Sequence, residues 1–462
     1  MKKINSLLFL IPLLFFSCDL FQVLEEGDFW AQNLSGNFTS HYRVYADLAV
    51  SGTYCNIWVE KDSDLRLEDV QRMAVIFDTI IYPKMIEYFS LDEFTYSGRT
   101  FNNTLEFADW LGDGDGKLCI LLLDIKDNYE KGEHDAYTAG YFSSYDLSSG
   151  YRSNRRDIIY IDIDPGMKSI YNIEEAYKTI AHETQHLMNY AARVKKGNFS
   201  IETWLDEGLS SAVEYILMEE HSIERYDWFF SNGAPHFRGL IDKGNNFYVW
   251  RNRTSESVYA VMDDYATVYM FFQWLRIQAG DPFIYKKIIS SEYHNYNAVL
   301  NALNSYPGME FPDWETLLKT WHAANYINAE SGLYGYKGEP EFRNRRIPVM
   351  LEMPESFSLY PGEGIYSLIT NEGFTKPSEP SNIRYTSINV SSPGTNDFEF
   401  KDGDILLTYN INLTGSGVDN SGITTGFPPP SSPPRIISMA RSLMSTSLTG
   451  PFRIGINDWI RN

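Results

Sequence analysis

Residues 174–193 run without a single Gly or Pro, and inside that run His182 and His186 stand four apart in His182-Glu183-Thr184-Gln185-His186. The helix formers on both sides predict one continuous helix over about 174–193. Positions i and i+4 share a helix face, so both imidazoles can reach one metal ion. Glu183 flanks the same face, where it could take a proton from a metal-activated water. This pattern constrains the chain more than any other, because a core built around it must leave two histidines and a carboxylate pointing at one spot.

A catalytic zinc takes three protein ligands and keeps its fourth position open. After twenty intervening residues His186 is followed by Glu207, within Trp204-Leu205-Asp206-Glu207-Gly208-Leu209-Ser210, and a second helix is expected over about 206–220, with Leu209, Val213, Ile216 and Leu217 at helical spacing. Glu207 is its best-placed carboxylate. The His-Glu-x-x-His motif alone arises by chance on amphipathic helices; the second segment, correctly placed downstream, weighs against chance.

Together the two motifs resemble the gluzincin metallopeptidases, and the Trp-Leu-Asp-Glu-Gly-Leu-Ser segment is especially similar to the hyicolysin-like bacterial family. The resemblance implies one catalytic Zn2+ held by His182, His186 and Glu207, with Glu183 as general base. It also implies an α+β, thermolysin-like catalytic unit over residues 41–330, with a β-rich N-terminal half and a helical C-terminal half. An edge strand beside the zinc helix would pair with an extended protein or peptide substrate. Relatives carry a Tyr near the metal, which points to Tyr265 in the expected helix 263–278; Tyr259 and Tyr269 are its rivals in a chain of 32 tyrosines, where a packing role is the default for any one of them. His236, a loop His with no motif around it, is a weaker donor candidate.

The N-terminus predicts export. Lys2-Lys3 precedes an apolar run of about ten residues, too short to span a bilayer core of about 30 Å. Phe15-Phe16-Ser17-Cys18 resembles a relaxed bacterial lipoprotein signal, so residues 1–17 are expected to be cleaved. Cys18 would then carry acyl chains that hold the protein on the outer side of a bacterial envelope membrane; plain secretion is the alternative. Residues 18–40 read as a tether. The formal net charge of -22 makes nucleic acid a poor partner. Cys55 and Cys119 lie in strand-like runs and are open to a disulfide or to two buried free thiols.

Farther along, residues 41–50 and 53–60 read as a β-hairpin, and residues 67–82 as a helix that resumes after Pro83 as far as Phe89. Apolar strands are expected at 121–125, 137–145 and 157–164. Gly112-Asp113-Gly114-Asp115-Gly116 could hold Ca2+, but it lacks the full twelve-residue loop ending in Glu and reads first as a tight turn. Helices are expected at 282–290 and 314–328. Residues 334–413 then alternate like a small β-sandwich, and 414–434 is a Gly/Ser/Pro-rich linker or loop before an unassigned segment at 435–462.

The function expected is that of a surface-anchored zinc endopeptidase. A related aminopeptidase is the first alternative, but the Gly-x-Met-Glu-Asn motif by which that branch holds a free amine is missing from the sequence. A non-catalytic adhesin on a peptidase scaffold is the second. Degenerate relatives usually lose a ligand or the base, and this chain keeps all four residues.

Overall fold

A computed structural model of the chain describes residues 27–412 except 36–39, 128, 130–136, 168–172, 198–200, 231–240, 242–243, 250–257, 354–358, 371–373 and 380–381, and describes no side chain at 258–261. Residues 1–17, Cys18, His236, the Tyr259 side chain and the segments 414–434 and 435–462 therefore lie outside the described residues.

The first half is β-rich. Its elements are β1 (Asp28–Gln32), β2 (His41–Ser51), β3 (Cys55–Glu60), α1 (Leu67–Ile76), α2 (Tyr82–Phe89), β4 (Phe94–Tyr96), β5 (Arg99–Phe101), α3 (Thr104–Leu111), β6 (Leu118–Leu123), β7 (Gly140–Phe142) and β8 (Ile158–Asp162). Six of the strands form one sheet in the order β1-β2-β3-β6-β8-β7. The pairs β3/β6 and β6/β8 are parallel, and the outer pairs are antiparallel. Two features differ from expectation. Asp28–Gln32 falls in the stretch read as a tether yet forms an edge strand on β2, its Phe29, Trp30 and Ala31 buried. A π-helical turn, Phe77–Ile81, joins α1 to α2, so the helix widens ahead of Pro83 without breaking there.

Both faces of the sheet are covered, as the unbroken apolar run of β6 requires. Leu118, Ile120 and Leu122 enter the main core with the helices, while Cys119, Leu121 and Leu123 enter a smaller core behind the sheet. The same alternation decides the cysteines. Cys55 is paired with Leu118 and Asn56 with Cys119, so the two thiols point to opposite faces. Both are free and buried, and burial pushes the Cys55 thiol up to about 12.

The middle of the chain is helical: α4 (Ile173–Lys195), α5 (Thr203–Met218), α6 (Ile223–Phe230), α7 (Val258–Ala279), α8 (Ile284–Ser290), α9 (Tyr296–Asn304) and α10 (Trp314–Ile327). α4 has acids in its first turn and Arg193 and Lys195 in its last, which complements the helix dipole. α10 begins at Asp313, whose side chain accepts a hydrogen bond from Thr316 N.

The C-terminal part contributes β9 (Gly364–Leu368), β10 (Ile383–Asn389), β11 (Gly394–Asn396) and β12 (Ile405–Asn410), an antiparallel sheet in the order β11-β10-β12-β9. Among the described residues this is the one sheet of the region expected to be a sandwich. Tyr366, Ile388, Ile405, Leu407 and Tyr409 join the main core. Alternate residues such as Ile365, Tyr385 and Leu406 form a separate small core on the other face.

Candidate metal centre

α4 and α5 pack together and bring the motif residues to one point. His182 Nε2 lies 3.5 Å from Glu207 Oε2, and His186 Nε2 lies 3.6 Å from the same oxygen. Two ligand atoms on a tetrahedral zinc, each bonded at about 2.1 Å, are about 3.4 Å apart. The spacing is that of ligands to one ion. Glu183 joins the two imidazoles with ligand atoms all within 4.8 Å of one another. All four side chains are buried, none more than 2% exposed. Apart from Glu207 at 3.5 Å, His182 Nε2 meets no polar partner among the described residues, a position that a metal would fill. Burial lowers the His182 pKa, which favours the neutral imidazole that ligation needs.

A second layer orients these groups. Asp206 Oδ1 sits 3.2 Å from His186 Nδ1 and accepts a hydrogen bond from Asn189 Nδ2. Ser210 Oγ also reaches His186 Nδ1, at 2.9 Å, and donates to Gln185 Oε1. With Nδ1 held, the Nε2 of His186 is the atom left to face Glu207. Gly208 lets α5 approach α7 closely: a Cβ there would fall 2.1 Å from Phe272 Cε2. At the sheet's end β7 runs beside α4, and a Cβ on Gly140 would meet Thr179 Cγ2 at 2.7 Å and Glu183 Cγ at 3.3 Å.

Tyr265 is 2% exposed, with its ring centroid 6.4 Å from that of His182. The Arg225 guanidinium stacks on the Tyr265 ring at 5.1 Å and pairs with Glu214 at 2.8 Å. Burial works to raise the Glu214 carboxyl, but Arg225 overcomes it and holds the group below the usual range. Tyr269 is engaged elsewhere, its hydroxyl meeting His221 Nδ1 at 3.0 Å and Ser222 N at 3.1 Å. Sequence reasoning overlooked Asp206, Ser210, Asn189 and the Arg225–Glu214 pair. Asp206 alone carried a usable signal, as the acid immediately before the third candidate ligand.

No family model matches the chain. The sequence is 28% identical over 328 residues to the neutral metalloprotease ShpI of Staphylococcus hyicus, which is 68% of this chain and 66% of that protein. The match thus spans just under two thirds of the relative's length. The likeness, together with the clustered His182, Glu183 and His186, supports a metallopeptidase family for this chain.

Proposed function

We propose that the chain is a zinc endopeptidase of the gluzincin type, exported and anchored to a bacterial surface through lipidated Cys18. The convergence of His182 Nε2, His186 Nε2 and Glu207 Oε2 at 3.5 and 3.6 Å carries the reading. Bound zinc supplies Lewis-acid polarisation and brings the pKa of water towards about 7. Glu183 accepts the proton of the attacking water and delivers it to the leaving amine. Tyr265, within reach of the same space, donates to the oxyanion as the peptide carbonyl becomes tetrahedral. Among the described residues β7 is the edge strand of the sheet, packed against Glu183, and it is where an extended substrate would pair.

The decisive comparison is digestion of casein by the wild type and by Glu183→Gln, with zinc content measured on both. The variant should keep its zinc and lose turnover, because Glu183 is the base and not a ligand. Equal digestion by both proteins would sink the mechanism, and release of single N-terminal residues only would make the enzyme an aminopeptidase. Anchoring has its own test: Cys18→Ser should move the protein from the membrane fraction to the medium, and retention in the membrane would refute the lipid.

A further inference from the structure

His221 follows the end of α5 and meets Glu339 and Glu341, which lie on the segment leading from α10 to the C-terminal sheet. One ligand atom from each of the three lies within 4.8 Å of the others. His221 Nε2 is 3.7 Å from Glu339 Oε2, near the roughly 3.4 Å that separates two ligands of a tetrahedral zinc. The two carboxylates flank Pro340 in a short 3-10 turn, Pro340–Phe342, which the fully buried Phe342 anchors to the core.

Two glutamates alone make no site, but the buried imidazole adds an independent observation. The His221 side chain is 1% exposed, and the rings of Phe342 and Tyr215 pack on it with centroids 4.2 and 4.6 Å away. Its Nδ1 meets the Tyr269 hydroxyl at 3.0 Å, so Nε2 is the nitrogen turned towards the carboxylates. Apart from Glu339, Nε2 meets no polar partner among the described residues. A charged His–Glu pair is the competing account, yet burial lowers the His221 pKa and leaves the ring neutral near pH 7, and 3.7 Å is long for a hydrogen bond. Arg276 Nη2 lies 3.1 Å from Glu339 Oε1, the other oxygen of that carboxylate, and its guanidinium rests on the Tyr215 ring at 3.8 Å. It orients Glu339, and one positive charge against two carboxylates leaves the cluster attractive to a divalent cation.

We propose that His221, Glu339 and Glu341 form a second zinc site, which fastens the segment between α10 and the C-terminal sheet to the end of α5. An imidazole with two carboxylates suits zinc, whereas calcium takes oxygen ligands alone. A groove lined by Arg276, Gly280, Asp281, Lys337 and Pro340 opens beside Glu339 and gives an ion a way in. The site joins parts of the chain more than a hundred residues apart, so occupancy should be read in stability.

The test strips the full-length protein with a chelator, reloads it with zinc chloride and counts the metal retained. Wild type should hold one zinc per chain more than Glu341→Gln, a half-buried position where the swap keeps shape and removes charge. The readout is that difference, so it stands whether or not α4 and α5 hold a catalytic ion. Affinity for this ion should fall by about 100-fold or more in the variant, since loss even of a group that orients a ligand costs about 10-fold to 100-fold. The wild-type Tm should rise as this ion binds, and the rise should be missing from Glu341→Gln. His221→Gln should lose the same zinc. Equal zinc content in wild type and Glu341→Gln, or an equal rise in Tm with calcium chloride, would overturn the assignment, even if His221→Gln does not fold.

Discussion

Asp206 Oδ1 lies 3.2 Å from His186 Nδ1, one residue before Glu207, so a single turn of α5 supplies both a candidate ligand and the group that orients another. A carboxylate on the far nitrogen of a ligating His fixes the ring and raises its basicity. Asp206→Asn should therefore weaken zinc binding by roughly 10-fold to 100-fold, measured by competition with a chromophoric chelator. Wild-type affinity in the variant would assign the orientation of His186 to Ser210 alone.

Gly208 predicts a packing effect on the same centre. With Phe272 ring atoms 2.1 to 2.5 Å from where its Cβ would stand, Gly208→Ala must push α5 away from α7 or displace a fully buried ring. Such overpacking costs about 1–3 kcal/mol, although Ala favours a helix over Gly by about 1 kcal/mol. The expected outcome is a lower Tm accompanied by weaker zinc binding, because Glu207 moves with the helix. A more stable protein with unchanged zinc affinity would mean that Phe272 swings aside freely.

For Tyr265, chemistry and packing make different forecasts. Loss of an oxyanion donor lowers kcat by about 100-fold to 1000-fold, with little change in KM. A phenol that merely packs gives about 1 kcal/mol of stability at most. Tyr265→Phe should slow turnover while zinc content and Tm hold, and Tyr269→Phe should instead act on stability, since its hydroxyl serves His221 and Ser222. A wild-type rate in Tyr265→Phe would remove the residue from the mechanism.

What the sequence could and could not reveal follows from the range of each signal. α4 was legible because its evidence is local: an unbroken run of helix formers with His182 and His186 one turn apart. The expected span of 174–193 became Ile173–Lys195. α5 likewise showed in the spacing of Leu209, Val213, Ile216 and Leu217. The cysteines were not legible, because their separation depends on a one-residue register between β3 and β6 that no local pattern encodes. β1 was missed because five residues among Gly, Asn and Ser carry too little periodicity, and its strand character comes from pairing with β2. The short helices α3, α6 and α9 went unassigned for similar reasons, each under three turns long. Among 32 tyrosines, only three-dimensional packing separates Tyr265, against His182, from Tyr269, against His221.

The last prediction concerns the seam between α10 and the C-terminal sheet. His322 is fully buried there, its Nε2 3.2 Å from Gly362 O and its Nδ1 within 3.4 Å of Asn245 Nδ2. Its ring neighbours are Trp321, Tyr366 and Tyr409, none of them acidic. Burial, only partly opposed by the Gly362 carbonyl, lowers its pKa to about 3. The unfolded chain would bind the proton near pH 6.5. Between those two values the unfolded state carries a proton that the folded state refuses, so stability is intact above about pH 6.5 and falls as pH drops towards 3, by up to about 1.4 kcal/mol per unit. The proposed zinc ligands would also protonate on acidification, so the informative quantity is a difference. His322→Gln, neutral throughout, should be less stable than wild type at pH 7 and should close the gap by about 2 kcal/mol at pH 5 in denaturant titrations. A gap that stays constant with pH would mean His322 takes its proton in the folded state.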